Sequence, residues 1–206
     1  MHDRTRVFRA SFFGLVWLIA IGAGGTVVLS YETSPGQTGT IPKYWPREST
    51  LERAADRPTL IMIAHPRCPC TRASIGELAK IVAQTQSRVR TYVLLWKPAG
   101  AEREWTANNL ENEAKEIPGI QVLDDVGGQE AQRFGIETSG HTVVFNKAGE
   151  LLFSGGITQS RGHSGDNAGE EAIVSLINQG SAPLRSTVAF GCPIKERNRE
   201  QTPCRK

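Results

Sequence analysis

No stretch of these 206 residues gathers lysine and arginine into a stripe interleaved with aromatics, and that absence argues against nucleic-acid binding. No internal repeat or low-complexity tract appears, which removes the solenoid architectures. The glycine-rich stretch from Gly155 to Gly169 lacks a Gly-Lys-Ser/Thr ending and follows a hairpin strand, so it is not a phosphate cradle. Charge is missing altogether from Ala10 to Tyr31. The formal net charge of +3 is uneven: six basic and two acidic residues fall between Pro183 and Lys206, while the stretch from Glu32 to Ala182 is mildly acidic. That basic end reads as solvated chain.

What is present begins with the uncharged run. Phe12, Phe13, Leu15, Val16, Trp17, Leu18 and Ile19 make it apolar, and its length meets the roughly 20 residues that one membrane-spanning helix needs. Arg4, Arg6 and Arg9 precede it, opposed only by Asp3. The positive-inside rule therefore keeps the short N-terminus in the cytoplasm and exports everything after Glu32. The run exceeds a signal-peptide core of about 7 to 15 residues and no clean Ala-x-Ala site follows, so an uncleaved anchor is expected. About 175 residues remain behind it, enough for one domain plus extensions.

The tripeptide Cys68-Pro69-Cys70 stands between the apolar run Ile61-Met62-Ile63-Ala64 and a stretch in which Ile75, Leu78, Ala79, Ile81 and Val82 recur at helical spacing. Two thiols therefore fall at a strand-to-helix junction. The free N–H groups and the macrodipole of a helix N-terminus stabilise a thiolate, and Arg67 and Arg72 add positive charge on either side. Low pKa and exposure are expected together there, the setting of redox or metal chemistry rather than of inert cysteines. An exported location permits disulfides and makes their redox state a regulated quantity.

From Thr33 to Arg57 the chain is rich in Pro, Gly, Ser and Thr and reads as a linker. An alternation follows. Strands are expected at Thr59–Ala64, Val89–Trp96 and Ile120–Leu123, the last ended by Asp124-Asp125. Helices are expected behind the cysteines, at Arg103–Glu116 and at Gln129–Phe134, which Gly135 closes. His141–Phe145 and Glu150–Phe153 flank Asn146-Lys147-Ala148-Gly149 and form an antiparallel hairpin, and a last helix spans about Ala168–Asn178, capped by Asp166 or Asn167 and stopped by Gly180.

Strand, helix, strand, helix, strand, hairpin and helix, with cysteines at the first strand-to-helix turn, resembles the thioredoxin-like superfamily over about Pro58–Gly180. The likeness is strongest at the Cys motif and at His141-Thr142-Val143-Val144-Phe145-Asn146-Lys147-Ala148-Gly149-Glu150, which is similar to the thioredoxin segment after its cis-proline. More narrowly, Cys68-Pro69-Cys70-x-Arg72-x-Ser74, Phe153-Ser154-Gly155-Gly156-Ile157-Thr158 and Arg161-Gly162-His163-Ser164-Gly165-Asp166-Asn167 resemble the RedB-type membrane-anchored thioredoxin-like proteins. The resemblance implies an α/β fold, a central mixed sheet flanked by helices, behind a single transmembrane helix. The chain then divides into a cytoplasmic N-terminus (1–9), an anchor (10–31), a linker (32–57), a thioredoxin-like domain (58–182) and a basic Cys-containing tail (183–206).

It also implies thiol-disulfide exchange with the thiols or disulfides of exported proteins, with Cys68 attacking, Cys70 resolving and no cofactor. A peroxidase-like redoxin fits less well, because no Pro-x-x-x-Thr-x-x-Cys pattern precedes the helix. The chain departs from the thioredoxin pattern twice: one residue separates its cysteines, and His141 stands where the cis-proline is expected. A Cys-x-Cys ring is small and strained, which favours a labile disulfide. Two thiolates beside an imidazole equally suit Cu(I), so a chaperone similar to the Sco type, binding through Cys68, Cys70 and His141 or His163, is the alternative. His65, at the strand end, orients the site, tunes a thiolate or serves the turn alone. The glycines around His163 allow that loop to approach the site closely. Four cysteines allow three full pairings. The simplest is Cys68 with Cys70 and Cys192 with Cys204 as a structural clip; alternatively Cys192 resolves a mixed disulfide at Cys68.

Overall fold

Strand β1, Thr59–Ala64, is buried along its whole length because both of its faces are covered. Leu60, Met62 and Ala64 point into one core and Ile61 and Ile63 into another, so the alternation that a one-sided strand would show is replaced by a continuous apolar run. The computed structural model describes residues 2–86, 88–101 and 109–194, with side chains from residue 8 onward.

A sheet of five strands has the order β3-β2-β1-β4-β5. Strand β2 (Arg90–Lys97) runs parallel to β1, and β3 (Ile120–Val126) runs parallel to β2. The hairpin of β4 (His141–Phe145) and β5 (Leu151–Gly156) lies antiparallel on the other side of β1. Helix α2 (Thr71–Thr85) follows β1, α3 (Asn109–Lys115) and α4 (Gln129–Arg133) flank β3, and α5 (Ala168–Gln179) packs beside α2. One core joins Leu78 and Ile81 of α2 and Ile173 and Leu176 of α5 to the sheet. The other gathers Tyr92, Trp96, Phe134 and Phe145 on the opposite face. The α5 N-cap is Asn167, whose side chain accepts from the Glu170 N–H at 2.9 Å, and the Gly180 N–H closes the helix on the Leu176 carbonyl at 3.1 Å.

Parallel β1-β2 joined to an antiparallel β4-β5, with helices on both faces and the cysteines after β1, is a thioredoxin-like arrangement extended at one edge by β3. Strand β3 runs three residues past the expected stop. Asp124 and Asp125 stay in register with Leu95 and Trp96, and the Asp125 carboxylate accepts from the N–H groups of Glu130 and Ala131, so an acid that reads as a strand terminator instead anchors the next helix. Strand β5 likewise continues to Gly156, paired with His141. The helix expected at Arg103–Glu116 is found from Asn109, and residues 102–108 of that range lie outside the described residues.

The segment read as a linker is part of the fold from Gly36 onward. The Gly36 N–H donates to the Ala189 carbonyl at 2.8 Å, and Tyr44 bridges Glu150. The Trp45 ring meets Phe134 and Phe145 edge-on at 5.1 and 5.4 Å. Ser49 and Thr50 donate to the Glu130 carboxylate at 2.7 and 3.0 Å. Composition suggested flexibility, but a few apolar and hydroxyl side chains hold the segment down. The tail also folds back: Ser186 bridges Ser154, Pro193 bridges Thr138, and Ile194 enters the second core. Residues 195–206, Cys204 among them, lie outside the described residues.

The N-terminal unit, through Ser34, is helix α1 (His2–Glu32). Its stretch Phe8–Glu32 is long and apolar enough to cross a membrane, as an anchor or a signal, with a mean hydropathy of 2.2.

Candidate active site

After β1 the chain turns through His65-Pro66-Arg67-Cys68-Pro69-Cys70 into α2. The Cys68 N–H donates to the His65 carbonyl at 3.0 Å, the Thr71 N–H to the Cys68 carbonyl at 3.1 Å, and Cys70 is the α2 N-cap with helical φ and ψ. The His65 N–H donates to Ser139 Oγ at 2.8 Å, and Ser139 Oγ lies 2.7 Å from Thr71 Oγ1. Ser139 belongs to the turn before β4, where Gly140 has φ +84° and its N–H reaches the Ile63 carbonyl at 2.7 Å. That left-handed conformation suits glycine, and a Cβ there would stand 2.6 Å from Ser74 Oγ.

The expected exposure of the thiols is not found: Cys68 is 4% and Cys70 is 7% exposed. The tail accounts for this, because it carries Cys192 to Cys68. Burial pushes the Cys68 thiol up, but hydrogen bonds from the Cys192 thiol, the Thr71 hydroxyl and the backbone N–H groups of Cys192 and Cys70 outweigh it, and its pKa falls below the ordinary value. Burial and the neighbouring Cys68 push Cys70 up. Burial, the hydrogen bond to Cys68 and the Cys68 charge push Cys192 up to about 12. Of the three thiols, Cys68 is therefore the one whose ionised form the surroundings favour.

A cation beside these thiols comes from the glycine-rich loop, Arg161. Its charge favours the thiolate of both Cys70 and Cys192, and its Nη1 donates to the Gly191 carbonyl at 2.7 Å. Arg72 turns to Glu113 at 3.1 Å on the surface, and Arg67 is exposed. Both line, with Pro66, Cys68, Pro69 and Leu110, an open groove of about 550 Å³ beside the Cys68 sulfur. The loop that carries Arg161 is held by Glu77, a fully buried carboxylate on α2 that accepts from the Gly165 N–H at 2.9 Å and pairs with Lys80 at 3.0 Å.

His65 stacks on Trp96 with ring centroids 5.2 Å apart and planes 15° apart, and its Nδ1 accepts from the Arg67 N–H at 3.2 Å. It therefore shapes the turn. His141 is 2% exposed, its Nε2 lies 2.8 Å from Ser154 Oγ on β5 and its Nδ1 has no partner; burial lowers its pKa to about 4 and keeps the ring neutral. His163 is exposed, with Nδ1 3.0 Å from the Arg161 carbonyl. Among the described residues no group of three or more His, Cys, Asp or Glu is placed to hold a metal ion.

Sequence reasoning missed Arg161, Thr71 and Ser139, and it separated Cys192 from the site in its simplest pairing. The Thr at the first helical position after the motif was the one local signal available.

No protein-family model matches the chain, and no curated protein sequence matches it. Its structure is similar to that of an uncharacterized conserved protein from Geobacillus kaustophilus, at 17% identity and a TM-score of 0.55 over 80% of this chain and 93% of that one. It is also similar to a hypothetical protein from Sinorhizobium meliloti, at 14% identity and a TM-score of 0.54 over 80% and 97%. A secreted Mycobacterium tuberculosis disulfide oxidoreductase homologous to E. coli DsbE matches at 12% identity and a TM-score of 0.43, over 60% of this chain and 82% of that one. The first two are likenesses of fold.

Proposed function

We propose that this chain is a membrane-anchored thiol-disulfide oxidoreductase acting on exported proteins. The observation that carries the reading is the set of donors converging on Cys68, which holds its thiol below the ordinary range despite burial. Helix α1 is the anchor, and Arg4, Arg6 and Arg9 keep its N-terminal end in the cytoplasm with the domain outside. A client disulfide approaches along the groove lined by Arg67 and Arg72. The Cys68 thiolate attacks one client sulfur, the second client sulfur leaves as thiolate, and Cys68 is joined to the client as a mixed disulfide. A neighbouring thiol of the site then attacks Cys68, forms a disulfide with it and releases the client reduced by two electrons. The reverse sequence oxidises a client dithiol.

The test is disulfide turnover on a protein disulfide by the full-length chain in detergent. Cys68→Ser is expected to abolish turnover and mixed-disulfide formation. Turnover that survives Cys68→Ser, or tight Cu(I) retention by a wild-type chain that turns over no disulfide, overturns the reading.

A further inference from the structure

Cys192 lies 122 residues beyond Cys70 in the sequence, yet hydrogen bonds tie its segment to β5 and to the turn before β4. The segment that carries it begins with Ser186 bridged to Ser154 and the Thr187 hydroxyl donating to the Gly156 carbonyl at 2.7 Å. The Gly191 carbonyl takes the Arg161 guanidinium, the Cys192 carbonyl takes the Ser139 N–H at 2.9 Å, and the Ile194 N–H donates to the Glu137 carbonyl at 2.9 Å. Gly191 passes so close to the Ser139 carbonyl that an added Cβ would stand 2.0 Å from its oxygen. Within this strap both the thiol and the backbone N–H of Cys192 are directed at the Cys68 sulfur.

Cys70 also reaches the Cys68 sulfur with its thiol and its backbone N–H, but it is placed less favourably for a disulfide with that sulfur. It holds helical φ and ψ as the α2 N-cap, and only Pro69, with its fixed φ, separates it from Cys68. A Cys68–Cys70 disulfide must close a small ring through that constraint. A Cys68–Cys192 disulfide joins two segments that are both tied to Ser139, which donates its N–H to the Cys192 carbonyl and takes the His65 N–H on its hydroxyl.

The geometry points to Cys192 as a third redox residue of this site, which resolves the mixed disulfide at Cys68 by forming a Cys68–Cys192 disulfide. The inference rests on the proposed oxidoreductase reading. The Cys192 sulfur attacks the Cys68 sulfur, the Cys68–client bond breaks, and the client leaves as a thiolate that takes up the proton lost by Cys192. The client disulfide gains two electrons in all, and the Cys68–Cys192 pair loses two. Arg161 favours the Cys192 thiolate at the moment of attack. Cys70 remains a second thiol that can exchange with the disulfide so formed.

The experiment uses the full-length chain in detergent and a client protein disulfide. Oxidised wild-type protein and the Cys204→Ser variant are digested under non-reducing conditions, and the disulfide-linked peptides are identified by mass spectrometry. A peptide joining Cys68 to Cys192 is expected in both. The lifetime of the mixed disulfide is then compared between Cys70→Ser and Cys70→Ser/Cys192→Ser. The single variant is expected to release the client, and the double variant to hold it roughly a hundredfold longer or more, because an intramolecular nucleophile has been removed. If wild type turns over but Cys192 is found only with Cys204, or Cys70→Ser traps the client as long as the double variant does, the inference is overturned and the oxidoreductase reading stands. If wild type neither turns over a disulfide nor forms a mixed disulfide, both fall together.

Discussion

Thr71 and Ser139, 68 positions apart, share a buried hydroxyl–hydroxyl hydrogen bond of 2.7 Å. Ser139 accepts from the His65 N–H, so its own proton can go to Thr71, and the Thr71 proton is shared between the His65 carbonyl at 3.3 Å and the Cys68 sulfur. The turn before β4 is thereby connected to the Cys68 sulfur through two hydroxyls.

Thr71→Val removes that donor. The Cys68 pKa is expected to rise and its thiolate fraction at neutral pH to fall, by the equivalent of one hydrogen bond to a charged group at about 1.5 kcal/mol. The pH profile of iodoacetamide alkylation reads this directly, and Thr71→Ser should restore it. An unchanged profile in Thr71→Val would remove Thr71 from the activation of Cys68.

Gly191→Ala places a methyl group against the Ser139 carbonyl. The strap must move, Cys192 loses its alignment with Cys68, and Cys68 becomes more accessible. Non-denaturing alkylation of Cys68 should therefore change, with greater reagent access set against the loss of a hydrogen bond that lowered its pKa. At pH 9, where the thiolate is plentiful in either case, access decides and the variant should react faster than wild type.

Strands β1 and β4 were legible to the residue, because a run such as Thr59–Ala64 or His141–Phe145 carries its own apolar signal and ends at local punctuation. The dithiol was equally legible, since Cys68-Pro69-Cys70 and the helix behind it are contiguous. Arg161 and Cys192 were not, because their places depend on the closing of a glycine-rich loop and of the tail, held by backbone bonds at Gly191, Cys192 and Ile194 that any sequence can make. Asp125 misled for a related reason: an acid after a strand usually signals exposure, and here two helix N–H groups take it inside.

His141 gives the domain a pH dependence with a definite sign. Its pKa is about 4 when folded against 6.5 for the free side chain. The unfolded state therefore binds the extra proton first, so this contribution to stability is complete above about pH 6.5 and is lost as the pH falls from there toward 4. The difference amounts to about 3 kcal/mol at most. Thermal melts at pH 7 and pH 4.5 should show a larger loss for wild type than for His141→Leu, each compared with itself. Equal losses would mean that the ring is protonated at little cost in the folded protein.

Glu77→Leu removes the buried carboxylate that holds Gly165 and Lys80. The Gly165 N–H is left without this acceptor, and a loss of about 2 to 4 kcal/mol is expected, measured as a fall in Tm. Limited proteolysis should then cut first between Gly155 and Gly169. Cleavage elsewhere first would show that the loop has other anchors of equal strength.

The flat contact between His65 and Trp96 places an indole chromophore against the residue whose carbonyl receives the Cys68 N–H. Disulfides and protonated imidazoles both drain excited indoles. In a chain whose other tryptophans are replaced by phenylalanine, the emission of Trp96 thus becomes a built-in optical readout of the turn, dim while a sulfur–sulfur bond stands at Cys68 and brighter once it is broken.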